Sequence, residues 1–273
     1  MRALARRRAI SLATLAGLSV LAIVAARVSS LRLVDTSLFT GWLLLALAFS
    51  LAVFGARKKL PFLPLGRAST WLQAHVYAGL FTALVFLLHI RWRVPNGTLE
   101  ATLAVAFAVV VVSGVVGLLI SRRYARRLTS RGQEVIFERI PALRRRLRDQ
   151  AEELALAASG EGATAISDFY GRRLSDFFSG PRNVVLHLVE SKRPRLQWTQ
   201  ELEAFERYLN KSDRRRTREL GELVLMKDDL DYHYALQGAL KVWLFVHIPV
   251  TAVMLILAVF HGLMAQAFST GLR

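Results

Sequence analysis

The sequence of 273 residues contains no cysteine. This absence excludes structural disulfides, iron–sulfur clusters held by thiolates, covalently attached c-type haem and cysteine nucleophiles. The sequence also lacks a phosphate-binding loop, a nucleophile triad and a pair of catalytic carboxylates, so it carries no familiar motif for hydrolysis or phosphoryl transfer. If the chain carries out redox chemistry, histidine must hold the cofactor.

Acidic residues are almost absent outside the middle of the chain. Of the 20 acidic residues, 18 lie between Ser121 and Leu240, which leaves only Asp35 and Glu100 elsewhere. A net charge of +17 could indicate binding to nucleic acid. The basic excess instead lies at the ends of apolar blocks, where membrane topology places it. We therefore expect membrane lipid, and no nucleic acid, among the partners.

Apolar residues occur in long blocks, and the mean hydropathy of the chain is +0.35. A helix that crosses a hydrocarbon core of ~30 Å needs ~20 apolar residues. The sequence predicts an all-α integral membrane protein with five transmembrane helices, at residues 10–26, 38–55, 71–90, 101–121 and 240–264. The first block also has the basic start of a signal peptide, but its apolar run is long for one and favours an uncleaved helix.

Lysine and arginine positions orient the predicted spans, because these residues are enriched in cytoplasmic loops. They cluster before the first span, between the second and third spans, and directly after the fourth. We therefore expect a protein of the cytoplasmic (inner) membrane with its N-terminus inside and its C-terminus outside. This topology gives three parts: residues 1–121 with transmembrane helices 1 to 4, residues 122–238 as a cytoplasmic helical domain, and residues 239–273 with the fifth helix and a short outer tail.

The predicted cytoplasmic domain carries helical patterns. Pro141 opens an apolar stripe that ends near Gly160, and Trp198 belongs to a second stripe at helical spacing. A third helix is expected to start near Asp213 and to continue into the fifth span. We interpret the domain as a docking site for a partner, and His187 as one of its structural residues.

Four of the six histidines fall in predicted membrane helices: His75, His89, His247 and His261. An ionisable side chain inside a span is costly and rare, so each is a candidate functional residue. The two histidines of each helix are fourteen residues apart. Fourteen residues turn ~1400° and rise ~21 Å, which places both on nearly the same face, one towards each side of the membrane. The topology makes the two helices parallel, so their histidines share two depths.

Two imidazoles that face each other across a helix bundle can ligate the iron of one haem. The shared depths pair His75 with His247 at an inner site and His89 with His261 at an outer site. A haem also needs positions without side chains where the ring packs close, and cationic side chains near its propionates. The candidates for packing or propionate contacts are Gly41, Gly55, Gly79, Gly117, Arg57, Lys58, Arg67, Arg91 and Arg93.

These motifs resemble a known family. The segments His75-Val-Tyr-Ala-Gly79 with His89, His247-Ile-Pro249 with His261-Gly262, and Gly41 with Gly55 are similar to the four-helix dihaem bundle of cytochrome b from quinol–cytochrome c reductases. The resemblance covers helices two to five and implies two b-type haems. The family's Pro-Glu-Trp-Tyr motif for quinol oxidation is absent, and the insertion before the last helix is foreign to that family.

The leading functional hypothesis is a dihaem cytochrome subunit that carries electrons across the membrane. Its expected partners are a quinone pool or other redox subunits, such as a c-type cytochrome or an iron–sulfur or flavin protein. His233 and Asp231 lie just inside the predicted last span, and either contact the helical domain or hydrogen-bond a quinone. The alternative is a histidine-based metal or proton transporter, which predicts acidic or polar residues along the same helix faces.

Overall fold

The computed structural model describes residues 2–31, 37–57, 68–128, 135–160 and 163–270, and every regular element within them is helical. The all-α prediction is confirmed for these residues. The α-helices are α1 (Arg2–Leu31), α2 (Ser37–Arg57), α3 (Ala68–His89), α4 (Thr98–Leu128), α5 (Ile140–Gly160), α6 (Thr164–Phe169), α7 (Ser175–Ser179), α8 (Val184–Leu188), α9 (Arg193–Glu206) and α10 (Lys211–Thr270).

Three of these helices are long and apolar enough to cross a membrane, within the part of the chain that the structure describes. They are α3, α4 and α10, and they coincide with the third, fourth and fifth predicted spans. The apolar parts of α1 and α2, Leu12–Val28 and Ser37–Val53, are shorter. The helices are compatible with a multi-pass membrane protein, and five spans remain a prediction.

The chain divides into two compact units. Unit 1 contains Met1–Leu118 and Phe245–Arg273, and unit 2 contains Leu119–Leu244. Because α4 and α10 each continue across a boundary, both helices contribute residues to both units. The division falls near the predicted limits of the helical domain, while the cytoplasmic location of that domain stays a prediction.

Unit 2 is held by an apolar core built from helical stripes. Ala151 of α5, Leu202 of α9, and Leu220 and Val224 of α10 are buried together. The rings of Phe169 and Phe205 stack with centroids 4.4 Å apart. The predicted stripes therefore form α5 and α9, and the predicted third helix begins at Lys211 and continues to Thr270 without a break.

The turn after α3 ends the helix sharply. Arg91 and Trp92 adopt positive φ angles of 52° and 59°. The Trp92 N–H donates to the Leu87 carbonyl at 3.2 Å and the Arg91 N–H donates to that of Leu88 at 3.1 Å, the bonding pattern of a Schellman cap. The turn leaves His89 as the last residue of α3.

Candidate functional site

A cavity of about 420 Å³ in unit 1 is lined by residues of α2, α3, α4 and α10. Its volume falls in the range of ~300–1,000 Å³ that small-molecule and cofactor sites occupy. His89 and His261 both line this cavity, whereas His75 and His247 do not. The structure thus brings the predicted outer pair to one space. The other lining residues include the apolar or small side chains of Trp42, Ala48, Phe86, Ala104, Phe107, Met254, Ala258 and Ala265.

Hydrogen bonding at His89 indicates which of its ring nitrogens carries the proton. Nδ1 of His89 lies 2.9 Å from Oγ1 of Thr40. The Thr40 hydroxyl donates its single proton to the Ser37 carbonyl at 3.1 Å, so it accepts the proton of Nδ1–H. The tautomer assigned from this network leaves a lone pair on Nε2, which is the form that binds a metal ion.

Gly41, next to Thr40, allows α2 to approach the same imidazole. A Cβ at this position would lie 3.3 Å from Cε1 of His89, which is tighter than an ordinary contact. A larger side chain would displace the ring. Gly41 also lines the cavity, as does Gly262, which follows His261.

His247 on α10 has the same pair of neighbours, supplied by α4. Its Nδ1 lies 2.7 Å from Oγ of Ser113, and that hydroxyl donates to the Val110 carbonyl at 2.9 Å. The network again assigns the ring proton to Nδ1 and the lone pair to Nε2. A Cβ on Gly114 would lie 3.8 Å from Cε1 of His247. A hydroxyl residue followed by glycine thus contacts one imidazole of each predicted pair.

His261 faces a carboxylate. Its Nδ1 lies 3.9 Å from Oε1 of Glu100, and both side chains are partly exposed. Glu100 stands in the first turn of α4, where the helix dipole favours a negative charge. A Cβ on Gly97 would overlap the Glu100 carboxylate, so glycine at that position makes room for it. Glu100 is the only acidic residue in the described part of unit 1.

The remaining predicted haem contacts have varied positions. Arg93 lines the cavity, and Arg91 is exposed on the preceding turn. Gly117 is buried in α4. Gly79 is half-buried in α3 and has no atom within 4 Å of the place where a Cβ would stand, and His75 is half-buried on the same helix. Lys58 and Arg67 lie outside the described residues, and Gly55 and Arg57 are described only as backbone of α2.

Asp231 and His233, the candidate quinone residues, are buried in unit 2. The Asp231 Oδ2 atom accepts a hydrogen bond from Lys227 Nζ at 2.5 Å and another from the Arg182 N–H at 3.0 Å. The ring of His233 stands edge-on to Tyr232, with centroids 6.2 Å apart. The quinone interpretation stays a prediction, and the structure gives Asp231 other partners.

Lys227 and Asp231 form a buried ion pair in the part of α10 that precedes its apolar segment. Lys227 also donates to the Gly180 carbonyl at 2.8 Å, and its Nζ lies 3.9 Å from the centroid of the Phe177 ring. Burial is the largest influence on both groups: it lowers the pKa of Lys227 and raises the pKa of Asp231, and their mutual attraction opposes both shifts.

The chain matches no family model, no curated protein and no solved structure. The function proposed below is therefore supported by residue chemistry and by the geometry of unit 1.

Three side chains that contact the histidines are missing from the sequence-based predictions: Thr40, Ser113 and Glu100. Their signals were present in the sequence. Thr40-Gly41 and Ser113-Gly114 repeat a hydroxyl–glycine pair on two predicted spans, and Glu100 is one of two acidic residues outside the middle of the chain. Only the packing of the helices shows which imidazole each one meets.

Proposed function

We propose that the chain is a dihaem b-type cytochrome subunit that carries electrons across the membrane. The observation that carries the proposal is the shared cavity of His89 and His261, which come from two different helices. The hydrogen bond from His89 to Thr40 leaves Nε2 as the ligating nitrogen. Gly41 and Ala104, which have little or no side chain, line the same cavity, where a flat ring could pack.

The donor set fits a low-spin haem. Two neutral imidazoles are a common axial pair for haem iron, and the bound haem supplies a one-electron couple. Thr40 and Ser113 orient the rings of His89 and His247 by accepting their Nδ1 protons, as outer partners of metal-bound histidines do. Arg93 at the cavity offers a cation for a propionate.

The inner haem of the proposal is bound by His75 and His247. Its support is the fourteen-residue spacing on two continuous helices and the repeated hydroxyl–glycine contact at His247. Two haems at the separation of these histidines, ~21 Å along the helix axis, would span most of the hydrocarbon core. Electrons could then pass between redox partners on opposite sides.

The wider setting also belongs to the proposal. We infer an inner-membrane subunit with its N-terminus inside and its C-terminus outside, because of the distribution of lysine and arginine. A haem pair without a catalytic motif serves a larger complex, so a quinone pool or a c-type cytochrome, iron–sulfur or flavin protein is expected as donor or acceptor.

Visible spectroscopy tests the proposal directly. The protein, purified after haem-replete expression, should show sharp low-spin b-type bands on reduction with dithionite. Pyridine haemochromogen analysis should give about two haems per chain, one for each pair of imidazoles. A colourless preparation of correctly folded, fully helical protein would refute the proposal.

A side chain at Gly41 should remove the outer haem. In Gly41→Leu the new atoms meet the imidazole of His89, since even a Cβ would lie 3.3 Å from it. We expect haem content to fall from about two to about one per chain. The matched control is Gly17→Leu in α1, where a Cβ would have no atom within 4 Å. Equal haem content in the two variants would contradict the expected packing.

Loss of the hydroxyl acceptors should weaken haem binding without abolishing it. Thr40→Val for the outer haem and Ser113→Ala for the inner haem each leave an Nδ1–H without its acceptor. Loss of such a partner typically costs ~10–100-fold in metal affinity. Haem titration of the apoprotein measures the effect, and Thr40→Ser should restore binding. Ser50→Ala, which removes a hydroxyl bonded only to the Leu47 carbonyl, is the control and should have no effect.

A histidine-based metal or proton transporter is the second candidate. The carboxylate of Glu100 near His261 and the hydroxyls of Thr40 and Ser113 favour it, because a relay needs polar groups along the histidine faces. Reconstituted vesicles distinguish the two functions. A transporter moves protons or metal ions without haem, whereas the cytochrome binds haem and transfers electrons without such ion flux.

A further inference from the structure

The short helix α8 in unit 2 has one buried face and one exposed apolar face. Val184 and Leu188 pack against a cluster formed by Tyr232, Ala235 and Leu236 of α10 with Tyr124 and Leu128 of α4. The opposite side exposes Val185 by 72% and Val189 by 64%, with Leu186 also exposed. We call Val185, Leu186 and Val189 the α8 patch.

The backbone holds α8 in a fixed position. Asn183 before it and Glu190 after it both have positive φ angles, of 57° and 59°. The Glu190 carboxylate accepts from Arg123 Nε at 2.5 Å and forms an ion pair with Arg127 at 3.1 Å. These contacts hold the end of α8 at Glu190 against α4.

The contacts of α8 lie beside the ends of two spanning helices. Arg123 follows the apolar segment of α4, predicted to end at Ser121, by two residues. Leu236 precedes the apolar segment of α10, predicted to start at Leu240, by four residues. Four residues of helix rise only ~6 Å. The parts of α4 and α10 that α8 contacts are therefore only a few residues from the predicted spans.

The surroundings of the patch are basic. Lys192 and Arg193 are exposed after it, and Arg182, exposed before it, forms an ion pair with Asp176. Glu190 is the only acidic residue from position 181 to position 197, and its charge is matched by two arginines. Apolar side chains surrounded by lysine and arginine are typical of segments that lie in the interface of an anionic membrane.

We propose that the α8 patch docks unit 2 onto the anionic lipid surface where α4 leaves the membrane. Val185, Leu186 and Val189 enter the boundary between headgroups and acyl chains, and Lys192 and Arg193 contact lipid phosphates. The docking does not depend on haem, and it fixes the helical domain close to the bilayer.

The absence of cysteine makes this proposal testable with a single thiol probe in the full chain. Val189→Cys, spin-labelled and placed in lipid nanodiscs of phosphatidylcholine and phosphatidylglycerol, should collide more with oxygen and less with a water-soluble nickel chelate than a probe in water does. We expect an oxygen-to-nickel accessibility ratio several-fold above that of the control. Val185→Cys is a second probe of the same patch should the first variant misfold.

Leu156→Cys is the matched control, because Leu156 is also an exposed apolar residue of unit 2, at 66%. The nearby Ala158 belongs to the same buried cluster as Val224, which precedes Leu240 by sixteen residues of α10, or ~24 Å. A label there should remain accessible to nickel.

Replacing phosphatidylglycerol with phosphatidylcholine should reduce the membrane immersion of the label at position 189. The double substitution Lys192→Gln with Arg193→Gln should make this immersion independent of the anionic lipid.

Two results would overturn the proposal. A label at position 189 as accessible to nickel as one at position 156 would show that the patch faces water. Protection of position 189 in native membranes but not in nanodiscs would identify a protein partner instead of lipid.

Discussion

Replacing His89 or His261 with alanine should remove the outer haem and leave the inner haem in place. Each variant deletes one of the two imidazoles that line the same cavity, and an iron with one axial ligand loses both affinity and low-spin character. The haem content should fall from about two to about one per chain. Reduced spectra and pyridine haemochromogen analysis of the purified variants measure both changes.

The inner pair should behave in the same way. His75→Ala and His247→Ala are expected to remove the inner haem. Redox titration should then sort the four histidine variants into two classes, each with the single reduction potential of the haem that remains. His233→Ala is the control, since His233 is buried beside Tyr232 in unit 2, and it should retain both haems. Loss of the same haem from His75→Ala and His89→Ala would show that the pairing is wrong.

Imidazole rescue separates loss of a ligand from loss of structure. The truncated side chain in His89→Ala leaves a space in which a free imidazole can occupy the missing axial position. We expect added imidazole to restore the low-spin spectrum of this variant. A variant that had unfolded would not respond, whereas a properly folded variant that bound two haems without imidazole would exclude His89 as a ligand.

Replacing Lys227 with methionine should strongly destabilise unit 2. The substitution removes two hydrogen bonds, to Asp231 and to the Gly180 carbonyl, and leaves the buried carboxylate with only Arg144, 3.8 Å away, as an opposite charge. Breaking a buried pair from one side typically costs ~3–5 kcal/mol. Pulse proteolysis of the full chain in detergent micelles across a urea series should show a lower midpoint for unit 2.

The double variant Lys227→Met with Asp231→Asn tests whether weaker charge compensation at the Asp231 carboxylate causes this loss. Asparagine still accepts from the Arg182 N–H and carries no charge, so the double variant should be more stable than the single one. Arg172→Gln is the control for ordinary ion pairs, because Arg172 and Asp168 are largely exposed and 3.8 Å apart. Such a pair contributes ~0–1 kcal/mol. A single variant as stable as this control would contradict the prediction.

Helices and their histidine spacing could be predicted because both depend on local periodicity. The apolar blocks predicted α3, α4 and the end of α10. The two histidines of each fourteen-residue interval lie on one continuous helix. The partners of the imidazoles could not be predicted. Whether Thr40 meets His89 depends on the rotation and the vertical offset of α2 against α3, which packing between helices decides.

The ion pair of Lys227 and Asp231 shows the same limit. Their spacing of four residues on one helix indicates a neighbouring pair and is visible in the sequence. On a solvent-exposed helix such an ion pair would contribute little to stability. The pair is buried because Phe177 and the backbone of Gly180 pack against this part of α10, although Gly180 precedes Lys227 by 47 residues in the sequence. Sequence periodicity does not predict this tertiary contact.

The uninterrupted course of α10 has a mechanical consequence. One helix of 60 residues carries Lys227 and Asp231 of unit 2 and both His247 and His261 of unit 1. Backbone hydrogen bonds make a helix stiff against twisting, so the local compliance of α10 depends on where those bonds are interrupted. Pro249 lacks the N–H that would bond the Phe245 carbonyl. The missing bond spans residues 245–249, so α10 is most compliant around His247 and stiffer at His261.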